Sequence, residues 1–372
     1  IFPIIFMVYN GIIQSAQPII SYNYGAGLMR RGRKALRMAL GTAAAMAALG
    51  RTIFEDSRIS RACEAAGLLV WPALLFCQQV YGTIPMLFFV SLAMLCYAKY
   101  VKTRRRALGA AFACLLALAY AAKINAAVAL IAVTICSVLD ALENRKLEPL
   151  AYAALAIALS LLLLRAIIWQ YERRSGVTLN SEIGALARLT MGMQEGGGAA
   201  GWFNRYTERF FSLEVTARQQ HDIALADLKA RLAEMAQNPA QTAAFFREKF
   251  CSQWMEPTMG MLWNGALSEH IGAFGETAAR FFAKDHTALE TLLGAFQRAL
   301  YAFSAAGIIG MLRDRKRSGL CLLLPLIFFG GALYHLLFEA KSQYAFPYAV
   351  LLLPMAAMGI CRIEDGLKGK RA

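Results

Sequence analysis

Charge is scarce in this chain. Asp, Glu, Lys and Arg make up only 17% of its 372 residues, against 58% hydrophobic, and the mean hydropathy is +0.45. A soluble fold cannot hide that much apolar surface, because exposed area falls too slowly as chains grow. Several apolar runs approach the roughly 20 residues that a bilayer-spanning helix needs. A water-soluble globule is excluded. The expected class is all-α: a polytopic membrane helical bundle with one mostly helical extracytoplasmic domain.

Cysteine pairs are lacking as well. No Cys-x-x-Cys spacing occurs, which argues against zinc, and no metal ligands are assigned. Of the eight cysteines, seven lie in or beside apolar runs. Cys251 stands alone in the polar stretch, so that stretch cannot close an internal disulfide. A signal-peptide pattern is also missing: the chain opens at Ile1 inside an apolar run, and it is expected to be a fragment at its N-terminus.

What is present is a basic excess, +15 at pH 7. It sits in short clusters beside apolar runs, at 30–34, 102–106 and 313–317. That is the positive-inside pattern of cytoplasmic loops, and it calls for no nucleic acid partner. Spans are expected near 65–80, 83–100, 107–122, 126–142, 149–169, 292–312, 319–338 and 344–361. With the basic clusters inside, the tight turns at 80–85 and 123–125 fall outside. So does the long polar stretch from Gln170 to about Leu289, and the C-terminus falls in the cytoplasm.

The polar stretch has readable parts. Met191-Gly192-Met193-Gln194-Glu195-Gly196-Gly197-Gly198, followed by Gly201-Trp202-Phe203-Asn204, reads as a Gly-rich loop beside an aromatic. Leu225, Leu228, Leu232 and Met235 recur at helical spacing, one face of a helix. Asn238-Pro239 ends that helix and starts another, with Asn as cap and Pro first. Phe245, Phe246, Phe250 and Trp254 line the second helix. They either rest on the outer leaflet or pack on the first helix, and the stripe facing them favours packing. His221-Asp222 reads as a surface pair and His335 as a packed polar residue in a span.

Residues 1–50 stand apart. Gln14-Ser15-Ala16-Gln17-Pro18, then Ser21-Tyr22-Asn23-Tyr24-Gly25-Ala26-Gly27, then Arg30, Arg31, Lys34, Ala35 and Leu36, resemble the MATE family of drug/cation antiporters. The resemblance implies transporter roles for Gln14, Gln17, Pro18, Asn23 and Tyr24. It stops near residue 50. The run 35–50 is only 16 residues, about 24 Å as a helix, and basic residues flank both ends. A discontinuity is expected at 50–54.

From about residue 65 onward the chain resembles a bacterial GT-C glycosyltransferase, of the branch related to protein-mannosyl and lipid-linked sugar transferases. The matching stretches are Val80-Tyr81-Gly82-Thr83-Ile84-Pro85, Ala121-Ala122-Lys123-Ile124-Asn125, the Gly-rich loop with Gly201-Trp202-Phe203-Asn204, and Asn238-Pro239 with Phe245-Phe246. Ser252-Gln253-Trp254-Met255-Glu256-Pro257-Thr258 and Glu339-Ala340-Lys341-Ser342-Gln343-Tyr344-Ala345-Phe346-Pro347-Tyr348 complete them.

The GT-C resemblance implies a multi-spanning enzyme that takes a sugar from a polyprenyl-phosphate carrier on the outer face. Such chemistry needs a carboxylate for the acceptor and a cation or a divalent metal for the leaving phosphate. Lys123 is either that phosphate ligand or an interfacial lysine snorkelling to headgroups. Glu339, Lys341, Gln343 and Tyr344 either bind phosphate or sugar or form a polar turn with an aromatic anchor. Glu195 either contacts substrate or is a solvated loop residue. The family's catalytic acid lies in the first outer loop, which the transporter-like segment replaces. Glu55-Asp56, the acidic pair upstream, is expected in the cytoplasm. No catalytic acid is assigned.

The expected divisions are therefore 1–50 transporter-like, 51–169 membrane helices, 170–290 extracytoplasmic domain, and 291–372 closing helices and tail. The expected activity is a cell-membrane transferase (hexosyl type, if active) that meets membrane lipids and a lipid-phosphate-linked sugar. The alternatives are a drug/cation antiporter or an inactive chimeric fragment.

Overall fold

The computed structural model describes residues 29–68, 82–176, 183–213, 215–260, 287–314 and 319–369. These residues form helices and no strand, as lipid demands, because a helix satisfies every backbone group within its own segment. The helices are α1 Met29–Phe54, α2 Ser57–Leu68, α3 Thr83–Thr103, α4 Arg106–Ala122, α5 Ala127–Asn144 and α6 Glu148–Ser175. They continue with α7 Ala185–Gly192, α8 Arg209–Ser212, α9 Ala217–Gln237, α10 Pro239–Trp254, α11 Thr287–Arg313, α12 Leu323–Leu337 and α13 Phe346–Gly369.

Among the described residues, six segments are long and apolar enough to cross a membrane: Thr83–Thr103, Ile124–Asn144, Glu148–Ser175, Leu289–Arg313, Gly319–Leu337 and Phe346–Lys368. The chain is an all-α, polytopic membrane helical bundle. Six of the expected spans correspond to these segments. The one expected at 107–122 forms α4, whose 17 residues reach only about 26 Å. Most of the span expected at 65–80 lies outside the described residues.

The helices divide into two compact units. The first comprises Ile1–Leu164, Met261–Phe328 and Phe346–Ala372. Here α1 runs through position 50 without a break. It ends at Phe54, where Glu55 turns the chain with φ 58°. Leu49, Ile53 and Phe54 are buried, and α1 packs on α2, α3 and α13. The helix is thus continuous up to Phe54, through most of the 50–54 stretch where the transporter resemblance stops. The apolar end of the run is buried by its neighbours, so its length alone did not set its fate.

Ion pairs gather the helix ends of this unit. Lys102 bonds Glu55. Arg58 meets Asp365 at 2.6 Å and Arg362 meets Asp314 at 3.7 Å. Arg104 grips Asp140 with two bonds of 2.5 and 2.6 Å. Lys102, Arg58, Arg104 and Arg362 thus each meet an acid from another part of the unit. The first turn of α3 meets the last turn of α4, where Lys123 Nζ donates to Thr83 Oγ1 at 2.9 Å.

Helix α11 packs closely on α13. Gly307 backs onto the Met355 carbonyl and Gly359 onto the Phe303 carbonyl. A Cβ at either position would overlap that oxygen, so glycine sets the spacing. Small residues at such crossings let backbones approach where lipid supplies no hydrophobic drive. Gly359→Leu is expected to cost about 1–3 kcal/mol through overpacking. A lowered midpoint of thermal unfolding in detergent, relative to Gly366→Leu, checks it. Gly366 has open space beside it.

The second unit comprises Arg165–Gly260 and Phe329–Ala345. It therefore includes the Glu339–Tyr344 turn as well as the polar stretch expected to stand alone. Thr216 opens α9 with a capping box to Gln219. The buried face of α9 carries Gln220, Ala224, Leu228 and Met235, while Leu232 is 47% exposed. The expected leucine stripe is thus rotated, because small Ala224 and polar Gln220 do the packing at its start. Phe245 packs with Leu228 and Met235, which bears out the helix-on-helix reading for that ring. Asn238 precedes Pro239 as expected, but its side chain donates back to the Glu234 carbonyl at 3.3 Å and caps no amide of α10.

Candidate functional site

The second unit is built around an amine. Lys249 lies on the face of α10 that carries Phe245, one turn away, and is only 1% exposed. Its Nζ sits 5.8 Å from the Phe245 ring centre and donates to the Gly192 carbonyl at the end of α7. Gly201 makes this reach feasible. It adopts φ +70°, and a Cβ there would lie 2.5 Å from Lys249 Cε and 2.8 Å from the Gly192 oxygen. Glycine adopts that backbone freely and leaves the space to the lysine stem.

The same glycines receive the second chain segment of the unit. Gly201 O accepts from Ala340 N at 2.9 Å, and a Cβ on Gly192 would strike the backbone of Leu337 and Phe338. The Glu339 charge is thereby within electrostatic reach of Lys249. Tyr344 donates to Glu339 Oε1 at 3.1 Å. His335 Nδ1 lies 2.8 Å from the Glu339 carbonyl oxygen. A carbonyl only accepts, so this ring nitrogen carries the proton. The His335 ring stacks on Tyr344 with centres 5.2 Å apart. His335 is buried as expected of a packed polar residue, but it also joins this cluster.

Around the Gly-rich loop further bonds fix the backbone. Trp202 Nε1 donates to Ser252 Oγ at 3.0 Å, and Ala200 N to Glu248 Oε1 at 3.2 Å. Glu256 accepts from the Thr258 and Gly260 amides at 2.8 and 2.6 Å, closing the turn after α10.

Of the residues singled out from sequence, Glu339 and Tyr344 meet directly, and Lys341 and Gln343 share their turn, Gln343 buried. Glu195 stands elsewhere, at an open cleft of about 420 Å³. The cleft is lined with Gln194, Tyr206, Arg209, Asp227, Arg231 and Glu234, and Glu195 reaches Arg231 at 3.5 Å. Lys123 belongs to the first unit, where it bonds Thr83. Gln14, Gln17, Pro18, Asn23 and Tyr24 lie outside the described residues. His221 and Asp222 are exposed. Among the described residues, His, Cys, Asp and Glu form no group of three or more that could hold a metal ion.

Lys249 itself was missed from sequence. The signal was there: a lysine four residues after Phe245 and five before Trp254, on the apolar face of a helix. Such a lysine either snorkels or is buried for a purpose. The chain matches no family model and no curated protein.

Burial pushes the Lys249 amine down to about 7, and Glu339 opposes this. An unfolded chain holds that proton up to about 10.4. Between those values the unfolded state binds more protons, so stability rises with pH across the window, by up to about 1.4 kcal/mol per pH unit. Below about 7 the cost of burying the charge is present in full. Thermal unfolding in detergent from pH 6 to 10 is expected to show this rise, and Lys249→Met is expected to flatten it.

Proposed function

We propose that the chain is a GT-C-like membrane glycosyltransferase of the hexosyltransferase type, moving a sugar from a lipid-phosphate-linked donor at the outer face of the cell membrane. One observation supports this reading above others. Stretches that carry the GT-C resemblance, though scattered over some 150 residues of sequence, gather around Lys249. Gly192 accepts its bond, Gly201 makes room for it and Phe245 lies under it. Ala340 bonds Gly201, and the Glu339 charge acts on the amine.

In this reading the second unit is extracytoplasmic, and the ion-paired helix ends and the C-terminus are cytoplasmic. Basic clusters resist translocation, so that end stays inside. Glu339, steadied by Tyr344, is the carboxylate that orients an acceptor hydroxyl. Lys341 and Gln343, on the same turn, contact the donor. A carboxylate acting on an acceptor proton contributes about 10²–10⁴-fold to such reactions.

Membranes containing the full chain are expected to transfer radiolabelled sugar from a polyprenyl-phosphate donor. Glu339→Gln is expected to lower the rate by about a hundredfold or more while leaving protein levels unchanged. No transfer by the wild-type chain with any lipid-linked hexose would sink the reading. Sidedness has its own test: a thiol reagent that cannot cross membranes is expected to label intact cells at Cys251, with the signal lost in Cys251→Ser. Labelling only after the membrane is opened would reverse the orientation.

A further inference from the structure

Two buried side chains of the second unit have no hydrogen-bond partner among the described residues. Gln253 is 1% exposed and neither its Oε1 nor its Nε2 is bonded; Ser342 is fully buried and its Oγ is unpaired. Each such group costs about 1–3 kcal/mol when left unsatisfied. Native chains rarely keep one without a use for it. Gln253 shares α10 with Lys249, one turn further along the same face, and Ser342 lies on the 3₁₀ turn Ser342–Tyr344, which the same helix packs against.

The balance of donors and acceptors names the ligand class. An ammonium group carries three N–H donors, and here the Gly192 carbonyl takes one. The Gln253 amide adds two N–H donors and a carbonyl oxygen, and Ser342 adds a hydroxyl that donates one hydrogen. The carboxylate that acts on Lys249 is Glu339, and it already accepts from Tyr344. Donors gathered around a cation suit an oxyanion, toward which the Gln253 amide and the Ser342 hydroxyl can turn their hydrogens. A planar carboxylate is best met by the arginine fork, which this face does not offer. A tetrahedral phosphate suits a point charge with several separate donors.

We propose that the Lys249–Gln253 face of α10, together with Ser342, is an internal binding site for a phosphate group. The transferase reading enters only in naming the source of that group, the phosphate of the lipid-linked donor. Lys249 then changes role on binding. An amine whose pKa lies near neutrality takes up a proton as the anion arrives, and the buried charge gains an anionic ligand.

The test uses the full chain purified in detergent at pH 7, with a short-chain polyprenyl phosphate as probe. Gln253→Leu and Ser342→Ala are each expected to weaken its binding by about tenfold, the effect of one lost buried hydrogen bond. A polyprenol of equal length without phosphate is expected to bind at least about tenfold more weakly, since it lacks the charge-assisted bonds. Inorganic phosphate is expected to compete. If phosphate binds and the lipid adds nothing, the site stands and its source is a free phosphate. Unchanged affinity in both variants, or equal binding of polyprenol, overturns the site. Lys249→Arg, which keeps the charge, guards against misreading a fold defect in Lys249→Met. Binding that depends on Gln253 without any sugar transfer would leave this site standing and sink the transferase reading. Transfer with binding indifferent to Gln253 and Ser342 would do the reverse.

Discussion

The contact between Lys249 and the Gly192 carbonyl is the constraint from which the second unit follows. A primary amine taken out of water must be bonded, and a backbone carbonyl at a helix end is an acceptor without an intrahelical partner. That pairing ties α10 to the end of α7. The reach is open only because position 201 has no side chain, and the same lack lets the Ala340 amide bond Gly201. Three distant segments are therefore held by one amine and two glycines. The apolar clusters behind them, Met193 with Phe245 and Met191 with Tyr206, supply the hydrophobic area.

The first unit is organised by a different rule. Lipid gives helices no hydrophobic reason to associate, so close packing and polar ends decide. Gly307 and Gly359 bring α11 and α13 to backbone contact. At the helix ends, Arg104 with Asp140 and Arg58 with Asp365 join elements far apart in sequence. Arg104 and Asp140 are the better buried of these pairs, at 27% and 8% side-chain exposure, and their two-bond geometry offsets desolvation. Arg58 and Asp365 are well exposed, and such pairs fix geometry more than stability.

The helical spans were legible because a bilayer enforces them: long apolar runs between basic clusters admit few other structures. Details that rest on side-chain size were less legible. Leu232 matched a helical stripe, yet Ala224 and Gln220 took the buried face, because periodicity cannot tell which flank of a stripe meets a neighbour. Asn238 was read as a cap for the helix after it, and it bonds the helix before it. The turn from Glu339 to Tyr344 was flagged correctly as polar, but its partner, Lys249, lies 90 residues earlier in the chain. No local pattern reports a contact of that separation.

Two polar groups in the second unit show why burial matters more than charge count in locating function. At the open cleft Tyr206 donates to Asp227 at 2.7 Å, Arg209 pairs with Asp227 and lies 4.1 Å over the Tyr206 ring, and Arg231 holds Glu234 at 2.8 Å. Its charges answer one another in contact with water, so a ligand there would have to compete with solvent and with existing bonds. Around Lys249 burial replaces contact with solvent. Lys249 is buried, its amine is pushed down toward neutrality, and the Gln253 amide on the same helix and the Ser342 hydroxyl on the adjoining turn stand unbonded. In a low-dielectric setting each added bond to an arriving anion gains more than it would in water. A site that is costly when empty and favourable when filled is the one whose occupancy the fold can register.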